Sequence, residues 1–141
     1  MLKYLKYFMP AFTGVLYLVI IPMGENYPTF FLIAFSLLLI IGDYIMPRDT
    51  IIQKFSYPNI LNLSLYINLP ILLTLVLFVI SILSAHPSEW YVNILNKYIY
   101  SDFIAIRDSF SVMDKISLVI QTSLSMGMLG VVAGHELTHR V

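Results

Sequence analysis

The chain has 141 residues, of which 59% are hydrophobic and 11% are charged, against roughly 25% charged residues in an ordinary soluble domain. A domain of this size leaves much of its surface in water, so this composition argues against a soluble globule and predicts an integral membrane protein. Eight basic and eight acidic residues cancel, which leaves no basic surface for nucleic acid, and the absence of cysteine excludes disulfides and iron–sulfur clusters.

Four long windows without Asp, Glu, Lys or Arg divide the chain, and about 20 helical residues cross the hydrocarbon core of a bilayer. We therefore predict an all-α integral membrane protein with four transmembrane helices arranged as two hairpins. The predicted helices cover about residues 7–24, 27–42, 58–84 and 116–139. All four belong to one transmembrane domain over residues 1–141.

The first two helices form a short hairpin, and the third contains a proline. Lys3 and Lys6 precede the first apolar run as in a signal peptide, but no small-residue cleavage site follows, so this helix is predicted to be retained. A tight turn at about 24–28 leads into the second helix. Pro70 is expected to kink the third helix, and Asn68 beside it needs a polar partner in the bundle.

The basic residues predict which ends of the helices face the cytoplasm. With four crossings, five of the eight basic residues lie on one side, which the positive-inside rule makes cytoplasmic: Lys3, Lys6, Arg48, Lys54 and Arg140. A bacterial inner membrane is the expected location. The segment of about 86–114, which contains Trp90 and several tyrosines, is predicted to lie along the opposite membrane surface.

Candidate metal-binding side chains are concentrated in the sequence GHELTHR at the end of the chain, residues 134–140. His135 and His139 are four residues apart, so in a helix both imidazoles project from one face and reach one metal ion. Neutral imidazole is a good ligand for iron, zinc or copper. Asp43 ends the second helix on the same predicted side and is a weaker candidate for supporting the metal, although an ordinary interfacial carboxylate is the commoner role.

The same letters match the HExxH pattern of zinc peptidases, in which the glutamate is the general base acting on a zinc-bound water. Under that alternative His135 and His139 bind zinc and Glu136 is the base. The spacing of the three residues does not separate a zinc site from an iron site. A third interpretation is a non-catalytic helical membrane protein in which the histidine pair is incidental.

The residues before the histidine pair favour iron. The stretch ISLVIQTSLSMGMLGVVAGHELTHR, residues 116–140, closely resembles the fourth helix and first histidine box of membrane-bound alkane monooxygenases. That family is related to xylene monooxygenase and more distantly to the membrane fatty acid desaturases. Arg140, directly after the second histidine, belongs to the family's usual HELxH(K/R) form. The layout of two helical hairpins joined by a polar link also resembles the N-terminal half of the family.

The resemblance implies an iron-dependent enzyme that inserts one oxygen atom from O2 into a C–H bond of an alkane, an alkyl-aromatic compound or a fatty acyl chain. His135 and His139 match the first histidine box and would be ligands of a diiron centre at the cytoplasmic ends of the helices. Glu136 lies beside them and would hold an imidazole or a neighbouring group. The electrons would come from a rubredoxin or a related reductase-linked carrier.

The chain departs from the family in the number of its histidines. The family's second and third histidine boxes follow the first, whereas the remaining histidine here is His86, on the opposite predicted side of the membrane. We therefore expect the sequence to be the N-terminal portion of a longer enzyme, inactive by itself, with no catalytic residue beyond the metal ligands.

Small residues recur along the fourth predicted helix at helical spacing. Ser123, Gly127, Gly130 and Gly134 fall at i, i+4, i+7 and i+11. Small residues on one face allow two helices to approach closely in a membrane. This face is therefore predicted to pack against a neighbouring helix.

Overall fold

The computed structural model describes residues 6–45, 58–99 and 102–131. Within these ranges the regular structure is helical throughout, and they contain no strand. Two helices, Tyr27–Ile45 and Asn59–Leu83, are long and apolar enough to cross a membrane. An all-helical protein with membrane-spanning capacity is therefore confirmed, whereas the arrangement of four crossings in two hairpins stays a prediction.

Six α-helices follow one another along the described chain. They are α1 Met9–Ile20, α2 Tyr27–Ile45, α3 Pro58–Leu83, α4 Glu89–Ile99, α5 Phe103–Ser109 and α6 Val112–Ser125. Short 3-10 turns, Lys6–Phe8 and Ile21–Met23, extend α1 at both ends. Beyond its last residue, α6 continues as a π-helical segment, Met126–Val131.

The helix bounds follow the charge-free windows closely, with one difference. Helices α1 with its 3-10 turns, α2 and α3 agree with the first three predicted helices to within a few residues. Helix α6 begins at Val112, earlier than the predicted 116, because Ser111 caps it and its side chain accepts a hydrogen bond from the Asp114 N–H. Two short helices, α4 and α5, fill the segment that was predicted to lie along the membrane surface.

The turn between α1 and α2 depends on a glycine. Gly24 has φ +74°, in the left-handed region that side chains disfavour, and a Cβ there would lie 2.9 Å from the Ser109 Oγ. The Ser109 hydroxyl in turn accepts a hydrogen bond of 3.0 Å from the Glu25 N–H. The turn between α1 and α2 therefore packs against the end of α5.

Two contacts establish the direction of α3 relative to α6. A Cβ on Gly130 would lie 3.0 Å from Leu72, near the middle of α3. The Arg107 guanidinium, just before α6, donates to the Ser84 carbonyl oxygen just after α3, at 3.4 Å. The end of α3 therefore lies near the start of α6, and the two helices are antiparallel.

The hydrophobic core lies between α1, α3, α5 and the first turns of α6. Nine buried side chains form it: Tyr17, Ile21, Leu75, Phe78, Val79, Ile82, Phe103, Phe110 and Leu118. Helix α2 lies outside this core and packs mainly through its first half, where Phe31 stacks on Tyr17 at 5.1 Å between ring centroids. Its second half leaves an apolar face exposed, as expected of a lipid-facing helix.

Helix α1 approaches α3 and α6 most closely at Gly14. A Cβ placed there would lie 2.8 Å from Ile71 Cγ2 and 3.1 Å from Leu129 Cδ1. The Ile71 branch is stiff at χ1, so it does not move away without strain. Around Gly42 of α2, by contrast, a Cβ would meet nothing within 4 Å.

Replacing Gly14 with alanine is therefore expected to destabilise the bundle by about 1–3 kcal/mol, the usual cost of overpacking. Gly42→Ala, in an open part of a helix, is expected to be neutral or to stabilise by up to about 1 kcal/mol through helix propensity. Thermal unfolding of both variants in detergent checks the difference. Equal melting temperatures would contradict the close approach at Gly14.

The predicted small-residue packing face of the fourth helix is only partly correct. Gly130 packs against Leu72, but Ser123 is exposed and Gly127 has no neighbour within 4 Å of its would-be Cβ. Gly134 lies outside the described residues. The α-helical spacing fails here because the chain becomes π-helical at Met126, which changes the angle between successive residues.

Candidate metal centre

The residues predicted to bind metal follow directly after the described part of α6. His135, Glu136 and His139 lie outside the described residues, which end at Val131. Asp43, the weaker candidate, is described: it lies near the last residue of α2 and is exposed. The structure therefore gives a position for Asp43, whereas metal binding by the histidine pair stays a prediction from the sequence.

Asp43 and Val131 lie toward the same end of the bundle. Helices α2 and α6 begin side by side, because the Thr29 hydroxyl donates a hydrogen bond to the Asp114 carboxylate. Both helices run antiparallel to α1 and therefore in the same direction. At 1.5 Å of rise per residue, Asp43 and Val131 are each roughly 20–25 Å away along their helices. Whether Asp43 shares a depth with the histidine motif is not tested by this arrangement, because the motif lies outside the described residues.

The remaining histidine, His86, lies at the other end. It is in the loop that follows α3, exposed, and near the start of α6 rather than its end. Its backbone N–H donates to the Ser84 Oγ at 3.3 Å. Its role as an interfacial histidine that does not join the metal site stays a prediction, because His135 and His139 lie outside the described residues.

The buried face of α6 is polar, although the helix is surrounded by apolar neighbours. Its buried polar side chains are Asp114, Ser117, Gln121, Thr122 and Ser125. Ser125 donates back to the Gln121 carbonyl oxygen at 2.9 Å, within its own helix. The polar face continues to the point at which the π-helical segment begins, and such segments are frequent at functional sites.

Asp114 organises the first turn of this polar face. Its side chain is fully buried and accepts hydrogen bonds from the Ser111 hydroxyl, the Ser111 N–H at 2.9 Å and the Thr29 hydroxyl. The Ser117 hydroxyl donates to Thr29 at 3.2 Å. Burial by itself raises the pKa of Asp114, but the hydrogen bonds from Ser111 and Thr29 outweigh it and lower the pKa below its ordinary value. Asp114 is therefore a buried, ionised link between α2 and α6.

Part of this link has a local signal in the sequence. Ser111 and Asp114 form a capping box, the S/T-x-x-D/E pattern directly before an apolar run. That pattern predicts the start of a helix. It does not predict that Thr29 from another helix shares the same carboxylate, which is a tertiary contact.

Deeper in the bundle, several buried polar atoms have no hydrogen-bond partner among the described residues. They are the Tyr17 hydroxyl, the Asn68 Oδ1, both side-chain polar atoms of Gln121 and the Thr122 hydroxyl. The Tyr17 hydroxyl lies close to that of Thr122 without reaching hydrogen-bond geometry. Unpaired polar groups are costly in a membrane. For the Asn68 Oδ1, the predicted polar partner is not found among the described residues.

The donor atoms of the predicted site suit a metal by their chemistry. Two neutral imidazoles with an adjacent carboxylate fit either iron or zinc. Within the described ranges, no group of three or more His, Asp or Glu side chains lies close enough together to hold a metal ion.

Comparison of the chain with protein-family models, with curated proteins and with solved structures gives no match.

Proposed function

We propose that the protein is the N-terminal portion of an enzyme that hydroxylates a hydrocarbon or fatty-acyl C–H bond with O2 at a histidine-ligated diiron centre. The observation that carries the proposal is the motif His135-Glu136-Leu137-Thr138-His139, which follows the π-helical segment Met126–Val131 in the sequence. The resemblance of residues 116–140 to the fourth helix and first histidine box of alkane monooxygenases selects this chemistry among those that a histidine pair allows.

The helix arrangement supports a membrane site for this chemistry. Helices α2 and α3 are long and apolar enough to cross a bilayer, and α1 with its flanking turns is a shorter apolar stretch. We place α1, α2, α3 and the helix containing α6 across the membrane as two hairpins. In this arrangement the N-terminus and the histidine pair face the cytoplasm, in a bacterial inner membrane.

Each residue of the motif has a separate role in this proposal. His135 and His139 hold iron through neutral imidazole nitrogens, and Glu136 accepts a hydrogen bond from an imidazole and so orients it. Asp43, near the end of α2, is the weaker candidate for supporting the metal ligands. Iron, when bound, supplies the activation of O2 for insertion of one oxygen atom into a C–H bond. The electrons come from a rubredoxin-type protein or a reductase.

A substrate that dissolves in the bilayer reaches the protein through its lipid-facing surface. An open apolar cavity of about 570 Å³ lies against α2 and ends at the turn that carries Asp43. Its lining residues are Ala34, Leu37, Leu38, Ile41, Gly42 and Ile45. An alkane, an alkyl-aromatic compound or a fatty acyl chain contacts such a surface without passing through water. By contrast, the polar inner face of α6 does not suit an alkyl chain.

The proposal requires more iron ligands than the sequence contains. A diiron centre needs several imidazoles, and the third histidine, His86, lies at the other end of the bundle. The proposed centre therefore needs iron ligands in addition to His135 and His139.

The second candidate is a membrane zinc metallopeptidase, favoured by the position of Glu136 between the two histidines. In that case His135 and His139 hold zinc, and Glu136 takes a proton from a water molecule. Zinc acts there as a Lewis acid and needs no electron donor. Metal identity and the requirement for a reductant therefore separate the two functions.

The decisive experiment purifies the protein, expressed from its complete reading frame, and measures its metal content together with conversion of an alkane under ¹⁸O2. We expect bound iron and an alcohol that contains one ¹⁸O atom. One zinc per chain with peptide cleavage would replace this proposal with the peptidase. The absence of both metals, with unchanged properties after both histidines are replaced, would leave the non-catalytic interpretation.

A further inference from the structure

Two adjoining concave spaces lie at the end of α3, on the far side of the bundle from the predicted metal centre. Both are lined by His86 and Pro87 of the loop that follows α3. One has a volume of about 520 Å³, and the other about 220 Å³. With α3 placed across the membrane, as proposed above, its end lies at the level of the lipid headgroups.

The larger space is lined by polar groups of both charges. The side chains of His86, Glu89 and Asn93 face it and have no hydrogen-bond partner among the described residues. Arg107 also lines it. Two of its guanidinium N–H groups donate to the Ser84 and Ala85 carbonyl oxygens, and two donate to the Asp108 carboxylate. One of the five N–H groups is therefore left for a ligand.

The smaller space is almost entirely apolar. It is lined by Leu77 and Ile80 of α3 and by Trp90 and Tyr91 of α4. The two rings are in edge contact, with 5.6 Å between their centroids. Trp90 is 65% exposed, which suits an aromatic ring at the boundary between headgroups and acyl chains.

We propose that these two spaces form one binding site for a phospholipid whose headgroup carries a primary ammonium, such as phosphatidylethanolamine. Arg107 and His86 bind the lipid phosphate, and Glu89 with the Asn93 carbonyl oxygen accepts hydrogen bonds from the ammonium. An acyl chain lies in the smaller space against Leu77, Ile80 and Trp90.

The charges in the larger space select this headgroup over other lipids. An anionic headgroup such as phosphatidylglycerol brings no positive group to the Glu89 carboxylate. A trimethylammonium headgroup has the charge but no N–H to donate to Glu89 or Asn93. A free phosphate or amine would leave the smaller apolar space unfilled. The site is independent of the proposed oxygenase function because it lies at the opposite end of the bundle.

The chain contains a single tryptophan, so tryptophan fluorescence reports on the surroundings of Trp90. The protein is reconstituted in phosphatidylcholine bilayers that contain a minor, varied fraction of lipid brominated on its acyl chains. Bromine quenches tryptophan at contact. We expect brominated phosphatidylethanolamine to saturate the quenching at a much lower fraction than brominated phosphatidylcholine or phosphatidylglycerol.

Glu89→Gln is expected to weaken the preference for phosphatidylethanolamine about tenfold, because it removes a charge-assisted hydrogen bond. His86→Gln is expected to weaken it as well. Lys97→Gln is the matched control, since Lys97 is an exposed charged residue of the same helix and lines neither space. Circular dichroism checks that each variant keeps its helices.

Equal quenching curves for the three brominated lipids would show ordinary annular lipid and overturn the proposal. An unchanged preference in Glu89→Gln would overturn it too. Neither result depends on metal content or hydroxylation, so a failure of this site is distinguishable from a failure of the proposed function.

Discussion

Replacing either His135 or His139 with alanine is expected to lower iron content and hydroxylation together, by more than about 100-fold. Even groups that only orient a metal ligand change affinity or activity by about 10–100-fold, and direct ligands contribute more. Insertion into the membrane should survive, because the helices that lie in lipid keep their apolar residues. The measurement compares iron per purified chain and alcohol formed per chain in the variants and the parent protein.

Two further variants make this test specific. Thr138→Ala changes the residue next to His139 without removing a metal donor, and it should keep iron and activity. Glu136→Gln keeps an acceptor oxygen beside the histidines, so it should weaken metal binding less than the histidine variants do. It would abolish peptide cleavage if Glu136 were the base of a zinc peptidase. Full iron and full activity in His135→Ala would show that His135 is not a ligand.

Replacing Asp114 with alanine is expected to destabilise the folded bundle by about 3 kcal/mol or more. The change leaves the Thr29 hydroxyl and two donors of Ser111 without their acceptor, and hydrogen bonds to a charged group contribute about 1.5–3 kcal/mol each. It also removes the contact that joins the first turns of α2 and α6. Thermal unfolding in detergent, followed by circular dichroism, measures the loss.

The controls for Asp114 use an amide and an exposed carboxylate. Asp114→Asn keeps one acceptor oxygen but no charge, so its melting temperature should lie between those of the parent and Asp114→Ala. Glu25→Gln removes an exposed carboxylate from the neighbouring turn and should change stability by less than about 0.5 kcal/mol. Equal effects of Glu25→Gln and Asp114→Ala would contradict the buried link.

The same carboxylate predicts how stability depends on pH. The folded protein lowers the pKa of Asp114, so the unfolded chain binds the proton more readily. The stabilisation is therefore complete above the ordinary carboxyl pKa of about 4 and is lost as the pH falls through the lower folded-state value. In Asp114→Asn, this part of the acid sensitivity should disappear.

The sequence predicted the helices of this protein well because their signal is local. Charge-free windows of nearly membrane length mark α1 with its turns, α2 and α3, and no contact between distant residues is needed to recognise them. The capping box at Ser111 and Asp114 is equally local and would have corrected the predicted start of α6. The histidine motif is also a local pattern, and it supports the functional proposal without help from the fold.

Composition and periodicity by themselves therefore determined an all-helical chain with membrane-spanning capacity and a candidate metal motif. Only the tertiary structure decided which face of each helix is buried. The spacing predicted that Ser123 and Gly127 lie on the packed face of the fourth helix, but Asp114 and Gln121 occupy the buried face. Thr29 of α2 binds Asp114, and the π-helical segment changes the helical spacing after Ser125. When several faces of a helix have similar local preferences for burial, contacts between residues far apart in the chain determine which face is buried.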